Sequence, residues 1–240
     1  MIYSWNDTND DKRISMKRHV LVLLLIIIGC SGTYGQKNVW MGGSIGFSLP
    51  SNIGRSGESI GFKDVAKSGF QFAYAGRWFY GKRLSLGWDV GWQFQDGKEK
   101  FWDVNNYGNV TSTYSTIHFL AEGNYYFSHQ EIKPYCGISF GAFMLSNTMT
   151  FDSAYTGTDA DASASYKAKQ WKPGFKPQAG LLINLSRRTM FDIKAGFVLI
   201  PNLEETVETV FENGWPKTII QNPHGNQHQW VISMGLLFLL

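Results

Sequence analysis

From Leu84 to Gln95 apolar and polar residues alternate almost without error. Leu84, Leu86, Trp88, Val90, Trp92 and Phe94 fall at one parity; Ser85, Gly87, Asp89, Gly91, Gln93 and Gln95 fall at the other. A strand sends successive side chains to opposite faces, so this period of two predicts a strand with one greasy face and one small, polar face. The polar face is mostly Gly, Ser and Gln, too weakly charged for a water-facing exterior. The same reading returns along most of the chain. It predicts a sheet closed on itself, with hydrocarbon outside and a narrow polar interior.

Seven further segments alternate in this way: Val39 to Ser48, Phe70 to Tyr80, Thr116 to Phe127, Pro134 to Met144, Phe175 to Leu185, Thr189 to Leu199, and a last one that carries Trp230, Ile232, Met234, Leu236, Phe238 and Leu240 on its apolar face. Each has roughly the 9–11 residues that a tilted strand needs to cross a bilayer. No helical periodicity of any length is present. Short connections lie near Gly81–Arg83, Ser128–Lys133 and Ser186–Arg188, and long polar ones near 49–68, 96–112, 146–172 and 201–227. The expected fold is all-β: an eight-stranded antiparallel up-and-down transmembrane β-barrel with short periplasmic turns, long extracellular loops and both ends of the sheet on the periplasmic side. A soluble barrel of the lipocalin kind would need the opposite polarity, apolar inside and charged outside.

Composition agrees with strands. The chain has 240 residues, 43% hydrophobic and 17% charged, with Gly 26, Trp 9, Tyr 11 and Phe 17. That excludes wholesale disorder, and a mean hydropathy of −0.20 is too low for a bundle of membrane helices. The net charge of +3 comes without a basic cluster, so nucleic acid is not an expected partner.

The N-terminal region reads as a targeting signal. Lys17-Arg18-His19 precede an apolar run from Val20 to Ile28, and small residues follow from Gly29 to Gly35. This is the order of a secretory signal peptide, and the run is too short for a comfortable membrane helix. The expected organisation is an artefactual extension at 1–15, a signal peptide at 16–35 cut after Gly35, and a barrel domain at 36–240. The alternative is lipidation of Cys30, since Ile27-Ile28-Gly29-Cys30 resembles a lipobox. Removal of Cys30 leaves Cys136 alone, which excludes a disulfide framework; Cys136 is expected to fill a small apolar slot on a strand.

Candidate chemistry is concentrated on the inward face. Arg77, Asp89, Glu122, Asp192 and Lys194 all point to the lumen and sit at similar distances from the short turns. Buried isolated charges are costly, so the five should pair at one level in the periplasmic half. The structural reading is a salt-bridge plug; the functional reading is a gate or narrow polar path. Trp78, Tyr80, Tyr125 and Phe127 at the periplasmic ends, and Trp230 at the other, are expected interfacial aromatics. His118 faces inward among serines, but no G-x-S-x-G motif accompanies it. His224 and His228 flank a Gly-containing stretch after Pro223, which does not suit a metal-binding helix. Asp152 to Asp161 lacks the regular ligand spacing of a calcium loop. No catalytic residue, metal or cofactor is expected.

The signal peptide, the strand count, the alternating loop lengths and the final strand from Trp230 to Leu240 resemble the small eight-stranded outer-membrane barrels of the OmpA/OmpX type and the related PorT-like barrel proteins. Lys133-Pro134-Tyr135-Cys136-Gly137-Ile138-Ser139-Phe140-Gly141 is similar to the fifth strand of such proteins. The chain ends Phe238-Leu239-Leu240, whereas such barrels often finish on an aromatic residue. The resemblance covers 37–240 and implies a cell outer membrane location in a Gram-negative envelope. The implied partners are outer-membrane lipid, the barrel-insertion machinery, and an extracellular or envelope protein at the long loops. The leading expectation is a non-enzymatic barrel with a structural or loop-mediated role. The alternatives are a narrow porin-like pore, an accessory subunit of an envelope secretion system, and a lipid-modifying enzyme.

Overall fold

A computed structural model describes residues 39–52, 62–98, 110–151, 164–203, 206–212, 215–222 and 225–240. The expected signal peptide and N-terminal extension, His224 and the acidic stretch Asp152–Asp161 lie outside these residues.

The strands are β1 (Val39–Ser51), β2 (Ala66–Tyr80), β3 (Leu84–Gly97), β4 (Val110–Tyr126), β5 (Ile132–Phe151), β6 (Ala164–Asn184), β7 (Thr189–Leu203), β8 (Thr206–Glu212), β9 (Trp215–Asn222) and β10 (Gly225–Leu239), with one helical turn, α1 (Phe62–Val65), before β2. Eight of them close a barrel in the order β1-β10-β7-β6-β5-β4-β3-β2, while β8 and β9 form a separate two-stranded sheet. Every barrel pair is antiparallel, so this is the expected up-and-down meander, sealed where β10 meets β1 from Trp40↔Leu239 to Ser51↔His228. No described helix is long and apolar enough to cross a membrane; the strands are the spanning elements.

The register sets the width. From Gln178 on β6 the paired residues run through Gly196, Val231, Ser48, Gly69, Gln95, Tyr114 and Asn147, and return to β6 at Ala168, an offset of ten residues. Strand number and stagger together fix tilt and diameter, and eight strands leave an interior that side chains can fill.

Polarity is inside out. Phe140 is 65% exposed on the outer face, whereas Asp89 is fully buried in the lumen. Trp92 and Ile193 face outward and Lys194 inward, as the alternation requires. Inward glycines make room for large neighbours across the ladder. A Cβ at Gly91 would lie 2.4 Å from Cε1 of His118, and one at Gly87 3.2 Å from Cγ of Arg77. Gly81, at φ 67°, supplies the left-handed residue of the β2–β3 turn.

Three expectations are corrected. The strands run past the membrane: β5 and β6 pair as far as Phe151↔Ala164, so most of the expected loop 146–172 is ladder. Ser146, Thr148 and Thr150 keep the period of two but lose the apolar contrast that marks a spanning strand. Within 201–227 the backbone forms the β8–β9 hairpin. Tyr135 and Phe143 face the lumen, as their parity predicts, and Tyr126 joins them. Finally, Cys136 is exposed on the outer face and fills no slot.

Replacing Gly91 by Val should lower barrel stability by about 1–3 kcal/mol through overpacking against His118. Gly43→Ala should change it by less than about 0.5 kcal/mol, because the added Cβ meets only a carbonyl oxygen at 3.8 Å. Urea midpoints of the two variants in lipid vesicles check the contrast.

Candidate luminal charge site

The lumen is layered. At the periplasmic end Trp40, Tyr126, Tyr135, Leu182, Met190 and Leu237 pack together, with Phe79 and Leu239 against them. Further in, Leu120, Phe143, Leu145, Val198, Ile200 and Val231 form a second apolar cluster. Between the two lie the charges.

They form two linked groups. In the first, Arg77 from β2 reaches over Gly87. Its Nε donates to Glu122 Oε1 on β4 at 2.9 Å, and its Nη2 to Asp192 Oδ2 on β7 at 2.7 Å. The Tyr135 hydroxyl donates to the other Asp192 oxygen at 2.8 Å, and the guanidinium lies 5.3 Å from the Tyr135 ring centre. In the second, Asp89 Oδ2 accepts from Lys176 and from Lys194, each at 2.9 Å. Asp89 Oδ1 lies 3.0 Å from His118 Nε2; a carboxylate can only accept, so Nε2–H donates. Lys194 Nζ, 3.9 Å from Glu122 Oε2, joins the groups.

All five expected cluster residues, Arg77, Asp89, Glu122, Asp192 and Lys194, are therefore in one buried network. Lys176 and His118 complete it. Lys176 balances the count: the three cations Arg77, Lys176 and Lys194 face the three carboxylates Asp89, Glu122 and Asp192. It was legible as an inward residue, but it lies far from any short turn along the chain; only the stagger of the sheet lowers it to Asp89. His118 ends the network against an apolar surface, its ring 5.9 Å from that of Phe143.

Chemically, the arrangement holds charge in place. Both oxygens of Asp89 are occupied, and His118 is 3% exposed. Among the described residues no group of three or more His, Cys, Asp or Glu side chains could hold a metal ion. Above the charges a reciprocal amide pair joins Gln93 and Gln229, at 2.7 and 3.1 Å, across strands β3 and β10.

The aromatic set lies elsewhere, on the outer face. Tyr80, Tyr125, Phe127 and Trp230 are exposed and Trp78 is partly so. Tyr125 and Phe127 meet edge to face at 5.5 Å near the periplasmic end. Trp230, on the extracellular side, lies 4.7 Å from Phe197. Phe47 with Phe70, and Trp92 with Phe94, add to that extracellular side.

Among solved structures, a major outer membrane protein from Thermus thermophilus matches 83% of this chain and 98% of its own length, at 11% identity and a TM-score of 0.51. This chain has the fold of the small eight-stranded outer-membrane β-barrels. Neisserial surface protein A matches 86% of this chain and 100% of its own, at 13% identity and a TM-score of 0.48. The outer membrane protease OmpT of Escherichia coli matches 87% and 99%, at 6% identity and a TM-score of 0.47. No protein-family model and no curated protein matches the sequence. The structural matches extend to outer-membrane barrels in general and do not single out a PorT-like group.

Arg77→Ala would leave Glu122 and Asp192 buried without their shared cation. The expected loss is about 3–5 kcal/mol, read as a lower thermal midpoint in the mobility difference between boiled and unboiled samples. An unchanged midpoint would count against a plug role.

Proposed function

We propose that the protein is a non-enzymatic, non-conducting outer-membrane barrel whose working surface is its extracellular rim. The observation that carries this reading is the filled lumen. An ion would have to pass one apolar layer, displace the paired charges and then pass the second layer, and charged groups are stabilised there only by their fixed partners. The plug also ties strands far apart in sequence, which suits a rigid scaffold.

The scaffold holds up a substantial outer structure. Strands β4, β5 and β6 continue beyond the aromatic girdle, and α1 packs Phe62 and Val65 against Ala66 and Tyr114 at the barrel mouth. The turn is tied down: Asn52 Nδ2 donates to Asp64 Oδ1 at 3.1 Å, and Lys98 Nζ to the Lys63 carbonyl at 2.6 Å. Binding residues are commonly carried on loops that a rigid frame positions. An extracellular protein or polymer partner at this rim is the role that best fits.

Single-channel recording of the purified protein in planar bilayers tests the reading. The expected trace stays at background. Discrete, stable conductance steps from the wild-type chain would overturn it in favour of a narrow pore.

A further inference from the structure

The periplasmic rim is strongly and unevenly charged. The three short turns carry Lys82, Arg83, Lys133, Arg187 and Arg188 against a single acid, Glu131. Lys133 points into the barrel mouth, with Nζ 5.8 Å from the Phe79 ring centre. The other four cations form two dibasic pairs, Lys82-Arg83 between β2 and β3 and Arg187-Arg188 between β6 and β7, and all four are exposed. In the closed strand order two strands separate these turns in either direction, so the pairs stand on opposite sides of the barrel.

Both pairs are held at a fixed level. The Arg83 carbonyl accepts from the Tyr126 amide at 2.8 Å, and the Arg188 carbonyl from the Leu239 amide at 3.0 Å, so each turn is tied to a neighbouring strand. Arg83 Nη1 also donates to the Tyr125 hydroxyl at 3.3 Å, which holds the guanidinium beside a ring on the lipid-facing surface. Exposed apolar residues border both turns: Tyr80 and Leu84 at the first, Leu185 at the second.

We infer that the two dibasic turns dock the phosphate headgroups of anionic phospholipids in the periplasmic leaflet, one site on each side of the barrel. The inference rests on the barrel spanning the membrane and is independent of whether the lumen conducts. Three features favour lipid over a periplasmic polymer or protein. The cations sit at the level where aromatic rings meet headgroups. Arg83 is hydrogen-bonded to Tyr125, which is exposed on the outer wall of the barrel. The charge is split between opposite sides, whereas a single macromolecular partner would need a contiguous patch. Guanidinium and ammonium groups near an anionic surface attract phosphate strongly, and the attraction falls with salt.

The test uses the full barrel reconstituted in phosphatidylcholine vesicles, with spin-labelled phosphatidylglycerol and spin-labelled phosphatidylcholine as probes of the lipid contacting the protein. The wild-type chain should prefer phosphatidylglycerol by about threefold, and high salt should reduce the preference. The combined variant Lys82→Gln, Arg83→Gln, Arg187→Gln, Arg188→Gln should lose at least half of it while keeping the heat-dependent gel mobility of a folded barrel. No preference in the wild type, or an unchanged preference in the folded variant, would overturn the inference. So would cosedimentation with purified peptidoglycan that the variant loses while lipid preference is absent, since it would assign the cations to the cell wall. Conductance steps would sink the non-conducting reading alone.

Discussion

The barrel depends on the ladder between β1 and β10. In hydrocarbon an unpaired backbone N–H or C=O costs several kcal/mol and no water can satisfy it, so a spanning sheet must have no edge. Pairing from Trp40↔Leu239 to Ser51↔His228 removes the edge. The ten-residue offset fixes how tightly the sheet rolls, and an eight-stranded roll has an interior of side-chain width. A solid lumen follows from closure. The exposed Phe, Ile and Leu of the outer face follow from it too, because every residue that cannot fit inside must meet lipid.

Filling such a lumen with charge is costly unless the charges neutralise one another. The network does so with three cations, three carboxylates and their hydrogen bonds, between a periplasmic layer around Trp40 and Leu182 and a second layer around Phe143 and Ile200. Buried ion pairs are weak sources of net stability, but they penalise wrong arrangements severely. A one-residue slip of β3 would turn Asp89 toward lipid, and one of β7 would do the same to Lys194. The links from β2 to β7 and from β3 to β6 therefore specify register between strands that are distant along the chain.

Much of this was legible from alternation alone. The parity of Leu84 to Gln95 gave the face of each residue, and the five inward charges could be named because inward charge in a narrow barrel must pair. What alternation could not show was stagger. Lys176 and His118 look too far from the short turns to reach Asp89, and only the slant of the rows lowers them to it. The inward parity of Tyr135 and Phe143 was legible; what alternation hid was the room for such rings. They break the small-residue pattern, and their space comes from glycines on neighbouring strands, such as Gly180 beside Tyr135 and Gly174 beside Phe143. The strand extensions outside the membrane were missed because polar residues on their outer face, such as Ser146, Thr148 and Thr150, remove the contrast that marks a spanning strand.

Occluded lumen, tied turns and long outer strands support the proposed scaffold, with lipid along the wall and two proposed contact surfaces, headgroups at the basic turns and partners at the outer rim. All three depend on the direction of each side chain in the closed barrel. The most direct measurement places single nitroxide labels along β2, from Phe70 to Gly76, in the barrel reconstituted in lipid vesicles, and reads their collision rates with oxygen. Rates should peak at Phe70, Phe72 and Tyr74 and fall at Gln71, Ala73 and Ala75. Peaks at the second set, or no period of two, would contradict the inside-out barrel.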